Sequence, residues 1–301
     1  MRQYGIGTYR FALSMRTIDR RDNGLYNWSQ IDRLAKGAAQ NGIRLQPILF
    51  RAAQRLPDPP LSPSELRDWS KFVAAAVHRY GNDGQFWLLN PLLPKLPVAA
   101  WQVWNEPNLR YFWDDQPNSA AYANLLADSA ATIRANDPDA IVVLAGLSNA
   151  ATKRMSPSRF IGRLYRAGSA SDFDVAAIHA YARNSVGSLR ATVALYARMA
   201  RNEDPATPVW VTEIGWSTAA PADHYLGTNP LGQARRLRNS FAFLRGLRST
   251  IPVSEILWYS WQDAPGQEAC GWCAGSGLIR TNGLAKPAAE QFALASALQP
   301  R

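Results

Sequence analysis

Two rhythms of apolar and polar residues alternate along the chain. Short, continuous apolar runs recur: "GIGTYRFAL" (5–13), "IRLQPILF" (43–50), "VAAWQVWNE" (98–106), "AIVVLAGLS" (140–148), "FDVAAIHAY" (173–181), "PVWVTEIGW" (208–216) and "SEILWYSWQD" (254–263). They do not alternate strictly, which is the pattern of parallel strands buried on both faces. Between them lie longer segments with apolar residues three and four apart, as in "SAAYANLLADSAATIRAN" (119–136), and these predict amphipathic helices. A helix over 28–42 opens at a Ser29 cap and closes at Gly42. Ser62-Pro63-Ser64-Glu65 has the form of a capping box with proline at the first helical position. The helix it starts should bury Leu66, Trp69, Val73, Ala76 and Tyr80.

Seven strand–helix units follow one another without a linker or sequence repeat, so residues 1–301 read as one domain. The pattern predicts an α/β fold, a (β/α)8 TIM barrel. An open doubly wound sheet is the alternative, and the lack of a glycine-rich phosphate loop after the first strands counts against it. Eight units close a barrel, yet the first run starts within a few residues of Met1. The expected fold is therefore a barrel lacking its first strand–helix unit in this chain, with two strand edges exposed. A truncated reading frame or fragment is the corresponding expectation.

The stretch "WQVWNEPNLRYFW" (101–113) begins like a buried strand and ends on an amide, a carboxylate and a proline. Burying an unpaired carboxylate costs several kcal/mol or shifts its pKa, so Glu106 needs a purpose. In a parallel barrel, active sites gather at the C-terminal ends of strands. Those ends carry Arg10, Asn105, Glu106, His179, Tyr181, Glu213, Trp258 and Trp261. Glu106 and Glu213 are the acidic residues embedded at the ends of apolar strands. Two carboxylates facing across a cleft suit cleavage of a glycosidic bond: one protonates the leaving oxygen while the other attacks the anomeric carbon or activates water. Structural ion pairs with Arg inside the barrel are the competing reading.

Composition adds little that contradicts this. The chain is 47% hydrophobic with 11 Trp, enough for a packed core and for flat sugar platforms. The net charge of +10, mostly from Arg, raises a polyanion partner or an acidic glycan. The Arg residues recur on amphipathic helices such as "QARRLRNSFAFLRGLR" (233–248), where they form a solvated face, and no nucleic-acid motif accompanies them. No run approaches the length of a membrane span, and no signal-peptide pattern opens the chain. Cys270 and Cys273, in "CGWC", lack the partners of a zinc site; a local disulfide and two packed thiols both remain open.

"WNEPN" closing one strand and "TEIGW" closing another 107 residues later resemble the clan A retaining glycoside hydrolases, nearest to glycoside hydrolase family 39-like bacterial enzymes. The likeness extends over nearly the whole chain. The resemblance implies Glu106 as acid/base and Glu213 as nucleophile, with the carboxyls about 5 Å apart. It further implies Asn105 as partner of the sugar 2-hydroxyl, and Tyr181 and His179 as groups that orient the nucleophile and line its subsite. Arg10 would keep the nucleophile ionised, and Trp261 would lie under the sugar. Trp113, Trp216 and Trp272, in loops after their strands, are expected to stack on sugars, whereas Trp101 and Trp104 belong to the core and His78 to the surface.

The function expected is retaining β-glycoside hydrolysis of an oligo- or polysaccharide, by a monomer without cofactor or metal. Carbohydrate is the expected partner, with no nucleic acid and no membrane. A non-catalytic carbohydrate-binding barrel or an inactive fragment is the alternative. Relatives of this kind are often exported, which favours an extracellular location. The sugar is not encoded legibly, although the Pro-rich loop "QRLPDPPLSP" (54–63) and "FWLLNPLLPKLP" (86–97) are expected to wall the cleft.

Overall fold

A computed structural model of the chain describes residues 1–21, 23–51, 58–113, 116–150, 152–202, 204–221, 223–266 and 270–297. Its strands are β1 (Thr8–Ser14), β2 (Arg44–Phe50), β3 (Ala100–Val103), β4 (Ile141–Val143), β5 (Leu147–Ser148), β6 (Ala176–His179), β7 (Val209–Ile214) and β8 (Val253–Trp258). The helices are α1 (Met15–Ile18), α2 (Ser29–Gln40), α3 (Pro63–Tyr80), α4 (Gln85–Leu89), α5 (Ser119–Asn136), α6 (Pro157–Arg166), α7 (Ser185–Ala200), α8 (Pro230–Gly246) and α9 (Pro287–Ala297).

Every ladder between these strands is parallel, in two sheets of order β1-β2-β3-β4 and β5-β6-β7-β8. The run at 140–148, predicted as one strand, is split into β4 and β5. Single bridges join the two sheets across the split, Asn105 to Gly146 and Val143 to Val175. The eight ladder segments thus fill seven barrel places in sequence order. Between β1 and β8, no ladder is formed among the described residues. Both strands flanking that place are partly exposed along most of their length, whereas β2 is buried from Leu45 to Leu49. Side chains span the seam: Tyr4 lies 5.8 Å from Trp261 between ring centroids.

The helices form where periodicity predicts, but Ser29 does not cap α2: it is the first helical residue, after Trp28, and no side-chain cap hydrogen bond is formed. Ser62 and Glu65 complete the capping box of α3 reciprocally. Asn118 and Asn229 cap α5 and α8, the latter with Pro230 in the first turn. Helix α3 buries Trp69, Phe72, Val73, Ala76, Val77 and Tyr80. A cluster of aromatic rings fills the space between barrel and helices: Trp104 meets Phe50, Trp69 and Trp113, and Trp113 meets Tyr122, at 4.4–5.9 Å. Trp101 and Trp104 are core residues, as expected, and His78 is exposed. Among the described residues no helix is long and apolar enough to cross a membrane.

Trp69 is wholly buried and its Nε1 donates to Ser129 Oγ at 2.8 Å, tying α3 to α5. Trp69→Ala should lower unfolding free energy by about 3–5 kcal/mol in chemical denaturation, against less than about 0.5 kcal/mol for His78→Ala.

Candidate active site

Thr8 to Ala12 of β1 and the C-terminal ends of β3, β6, β7 and β8 surround a cavity of about 1070 Å³, which Arg10, Asn105, Glu106, Tyr181, Glu213 and Trp261 all line; Arg10, expected at a strand end, is the third residue of β1. Regular alternation along a strand would send Asn105 and Glu106 to opposite faces. The backbone prevents this. Trp104 and Glu106 adopt left-handed φ values of 70° and 43°, so neighbouring side chains both reach the cavity. Such conformations cost about 1–3 kcal/mol each and persist where surrounding packing over-determines them. Here the fully buried Trp104 ring supplies that packing, with its Nε1 bonded to the Phe112 carbonyl at 2.7 Å.

Arg10 organises the polar groups. Its Nη1 donates to Glu213 Oε1 at 2.6 Å, its Nη2 to Asn105 Oδ1 at 2.9 Å, and its Nε to Gln102 Oε1 at 2.7 Å. Glu213 Oε2 accepts from the Tyr181 hydroxyl at 2.6 Å. His179 connects the two carboxylates, with Nδ1 2.8 Å from Glu106 Oε1 and Nε2 3.4 Å from Glu213 Oε1. Arg10 Nη2 also lies 3.2 Å from Nε2. A guanidinium can only donate, so in the neutral ring Nε2 accepts and Nδ1–H is given to Glu106. In the imidazolium, Nε2–H turns toward Glu213.

These contacts set the charge state of Glu213. Burial pushes the carboxyl up, but the charges of His179 and Arg10, with hydrogen bonds from Tyr181 and Arg10, outweigh it and hold the carboxyl below its ordinary 4.5. Tyr181 is pushed well up by burial and by the Glu213 charge, so its hydroxyl stays a donor. Among the described residues, no group of three His, Cys, Asp or Glu side chains could hold a metal ion.

Several expected positions need correction. Trp113 and Trp216 do not face the cavity; they are 1% and 0% exposed. Trp113 packs between Trp104 and Tyr122, and Trp216 donates its Nε1 to the Ala182 carbonyl, so neither can stack on a sugar. His179 is fully buried behind the carboxylates and contacts Glu106, not the cavity, so a substrate-binding position does not hold for it. Trp261 and Trp272 do line the cavity. The segment 86–97 walls a different place. It precedes β3, which puts α4 and its following turn at the opposite, N-terminal end of the barrel. Of the Pro-rich loop 54–63, residues 54–57 lie outside the described residues, and none of 58–63 lines the cavity.

The structure adds residues that motif reading passed over. Gln102 interrupts an apolar strand and is fully buried, its oxygen consumed by Arg10; a lone polar residue inside "AWQVW" was the available signal. Gly146 lies in the gap between β4 and β5, where a Cβ would land on the His179 ring and 2.8 Å from Thr212 Oγ1. Tyr225 lines the cavity and is pushed up by burial and by the Glu106 charge, which places it on the Glu106 side. Lys286, with a fully buried side chain, bonds Asp263 at 2.7 Å, Thr218 at 2.9 Å and the Gly275 carbonyl at 2.8 Å. Burial pulls its pKa down while Asp263 opposes the fall. The lysine ties the loops after β7 and β8 together. Cys270 and Cys273 form a disulfide in the latter loop.

The family model of the glycosyl hydrolase catalytic core matches residues 95–291. A search of curated protein sequences gives no match. The fold is shared with a family 39 glycoside hydrolase from Bacteroides cellulosilyticus WH2 (TM-score 0.74, 19% identity, 99% of this chain and 59% of that one). It is also shared with a monomeric beta-xylosidase from Caulobacter crescentus CB15 (TM-score 0.67, 20% identity, 99% and 63%). Fungal beta-1,4-galactanases have it as well (TM-score 0.67, 17% identity, 97% and 89%). The chain spans about three fifths of the length of the family 39 enzyme and of the xylosidase. With this barrel, with two carboxylates at its strand ends and with the family model matched over most of its length, the chain belongs to the glycosyl hydrolase catalytic core family.

Proposed function

We propose that the chain is a retaining β-glycoside hydrolase in which Glu213 is the nucleophile and Glu106 the acid/base. The observation that carries this is the unequal treatment of the two carboxylates on one cavity. Glu213 is clamped through both oxygens by Arg10 and Tyr181 and held ionised, ready to attack. Glu106 is contacted by His179 alone among the side chains just described, which leaves it in touch with a group that can give or take a proton.

In the first step Glu213 attacks the anomeric carbon as Glu106 gives its proton to the departing oxygen. In the second, Glu106 takes a proton from water, which attacks the same carbon and releases Glu213 with configuration retained. Asn105, fixed by Arg10, meets the sugar 2-hydroxyl, and Trp261 provides a flat face beneath the ring. A neutral glycan suits the cavity better than an acidic one. Among the described lining residues the only cationic side chain is Arg10, and its donors are committed to protein partners.

The test is reducing-sugar release from neutral β-linked xylo-, galacto- and gluco-oligosaccharides, comparing the chain with Glu213→Gln. Activity in the first and a loss of at least about 10³-fold in the second is expected, as for loss of a nucleophile. Proton NMR of the first-formed anomer should show retention; inversion would overturn the mechanism. Arg10→Met should raise the acid limb of the kcat/KM profile toward the ordinary carboxylate value. A folded-state pKa that is depressed makes the ionised form available at lower pH, and removing the cation withdraws that advantage. Gly146→Ala displaces the His179 ring, so activity should fall by about 10²-fold or more while the circular dichroism spectrum is kept.

A further inference from the structure

The loop after β8 carries a ring of four residues, Cys270-Gly271-Trp272-Cys273, closed by the disulfide and by a hydrogen bond from Cys273 N to the Cys270 carbonyl at 3.1 Å. All four residues line the cavity. Cys273 is buried and continues into the turn whose Gly275 carbonyl Lys286 holds. Cys270 is partly exposed, so a soluble thiol can reach the bond. Trp272, at the tip of the ring, stands edge-on to Tyr181, 4.7 Å between centroids, and touches Tyr259 at 5.4 Å. Tyr181 in turn is the hydroxyl donor to Glu213.

We propose that the disulfide makes Trp272 a positioning residue for the nucleophile, acting through Tyr181, and that reduction of the bond slows the enzyme reversibly. The inference rests on Glu213 being the nucleophile. A dithiol reductant supplies two electrons and two protons: the Cys270–Cys273 bond breaks, two thiols form, and the reductant closes to its own disulfide. Opening the ring frees the backbone at 270–272, and the indole no longer fixes one face of the Tyr181 ring. The phenol then samples orientations that miss Glu213 Oε2. A hydrogen bond to a charged group in a dry site is strong because its geometry is held, so mobility of the donor removes the benefit.

Two measurements test this. The first needs no substrate. The chain is labelled with 3-fluorotyrosine and the Tyr181 resonance identified by its loss in Tyr181→Phe. Dithiothreitol should move or broaden that resonance, and reoxidation should restore it; a resonance unchanged by reduction overturns the proposal. The second is kinetic. Reduction should lower kcat about tenfold, the worth of one well-placed hydrogen bond in the transition state. The same treatment should have no further effect in Tyr181→Phe, because both changes remove one interaction. If the fall in rate persists in Tyr181→Phe, Trp272 acts on substrate or on the loop alone and the proposal fails. Cys270→Ser/Cys273→Ser, checked for folding by circular dichroism, should behave as the reduced chain and ignore the reductant. Failure of the glycosidase reading would appear separately, as equal rates for the chain and Glu213→Gln, and leaves the fluorine result readable.

Discussion

The guanidinium of Arg10 is held at the rim of the barrel by groups from three other parts of it. From β1 it reaches Gln102 on β3, Asn105 just beyond β3, His179 at the end of β6 and Glu213 on β7. A cation so placed would be costly to bury alone, and so would the carboxylate it meets. Together, with each donor assigned to an acceptor, they form a network whose members fix one another. Asn105 and Glu213 cannot rotate independently when one planar fork holds both. The positions of these groups are therefore set chiefly by the strands from β1 to β7, and the loop after β8 bears on them through Tyr181.

Around that network the division of labour is physical. The core side is aromatic and dry, with Trp104 and its neighbours immobilising the backbone that turns Glu106 inward. The solvent side is aromatic too, but its rings are partly exposed and line the cavity. Lys286 braces this outer wall from behind, pairing with Asp263 where a free ammonium would not be tolerated. The +10 net charge of the chain belongs elsewhere, on outer helices, and contributes little to the cavity.

Much of this was legible in the sequence for reasons that can be named. Apolar runs buried on both faces and capped helices are local signals, and they predicted the seven barrel places. "WNEPN" and "TEIGW" announced their carboxylates because a charge at the end of an apolar strand is costly unless the barrel rim uses it. What could not be read depended on three-dimensional closure. Trp216 follows its strand end as closely as Trp261 does, and Trp113 lies farther along its loop, yet the chain folds both inward; sequence position alone cannot tell a rim indole from a core one. Likewise His179 looked like a substrate contact, and only packing shows it behind the carboxylates. The split of 140–148 at Gly146 leaves almost no trace, since a single glycine in a strand has many uses.

Part of this candidate site is written in the main chain. Two left-handed residues and one missing Cβ determine where Glu106 and His179 can be. Such features do not drift by small steps, since a single added carbon at 146 collides with the imidazole. The cavity's aromatics, by contrast, are placed by side-chain packing. If the chain acts as proposed, what is cut and how it is cut are held by different means: the first by side chains on the cavity wall, the second by the main chain that fixes the carboxylate pair.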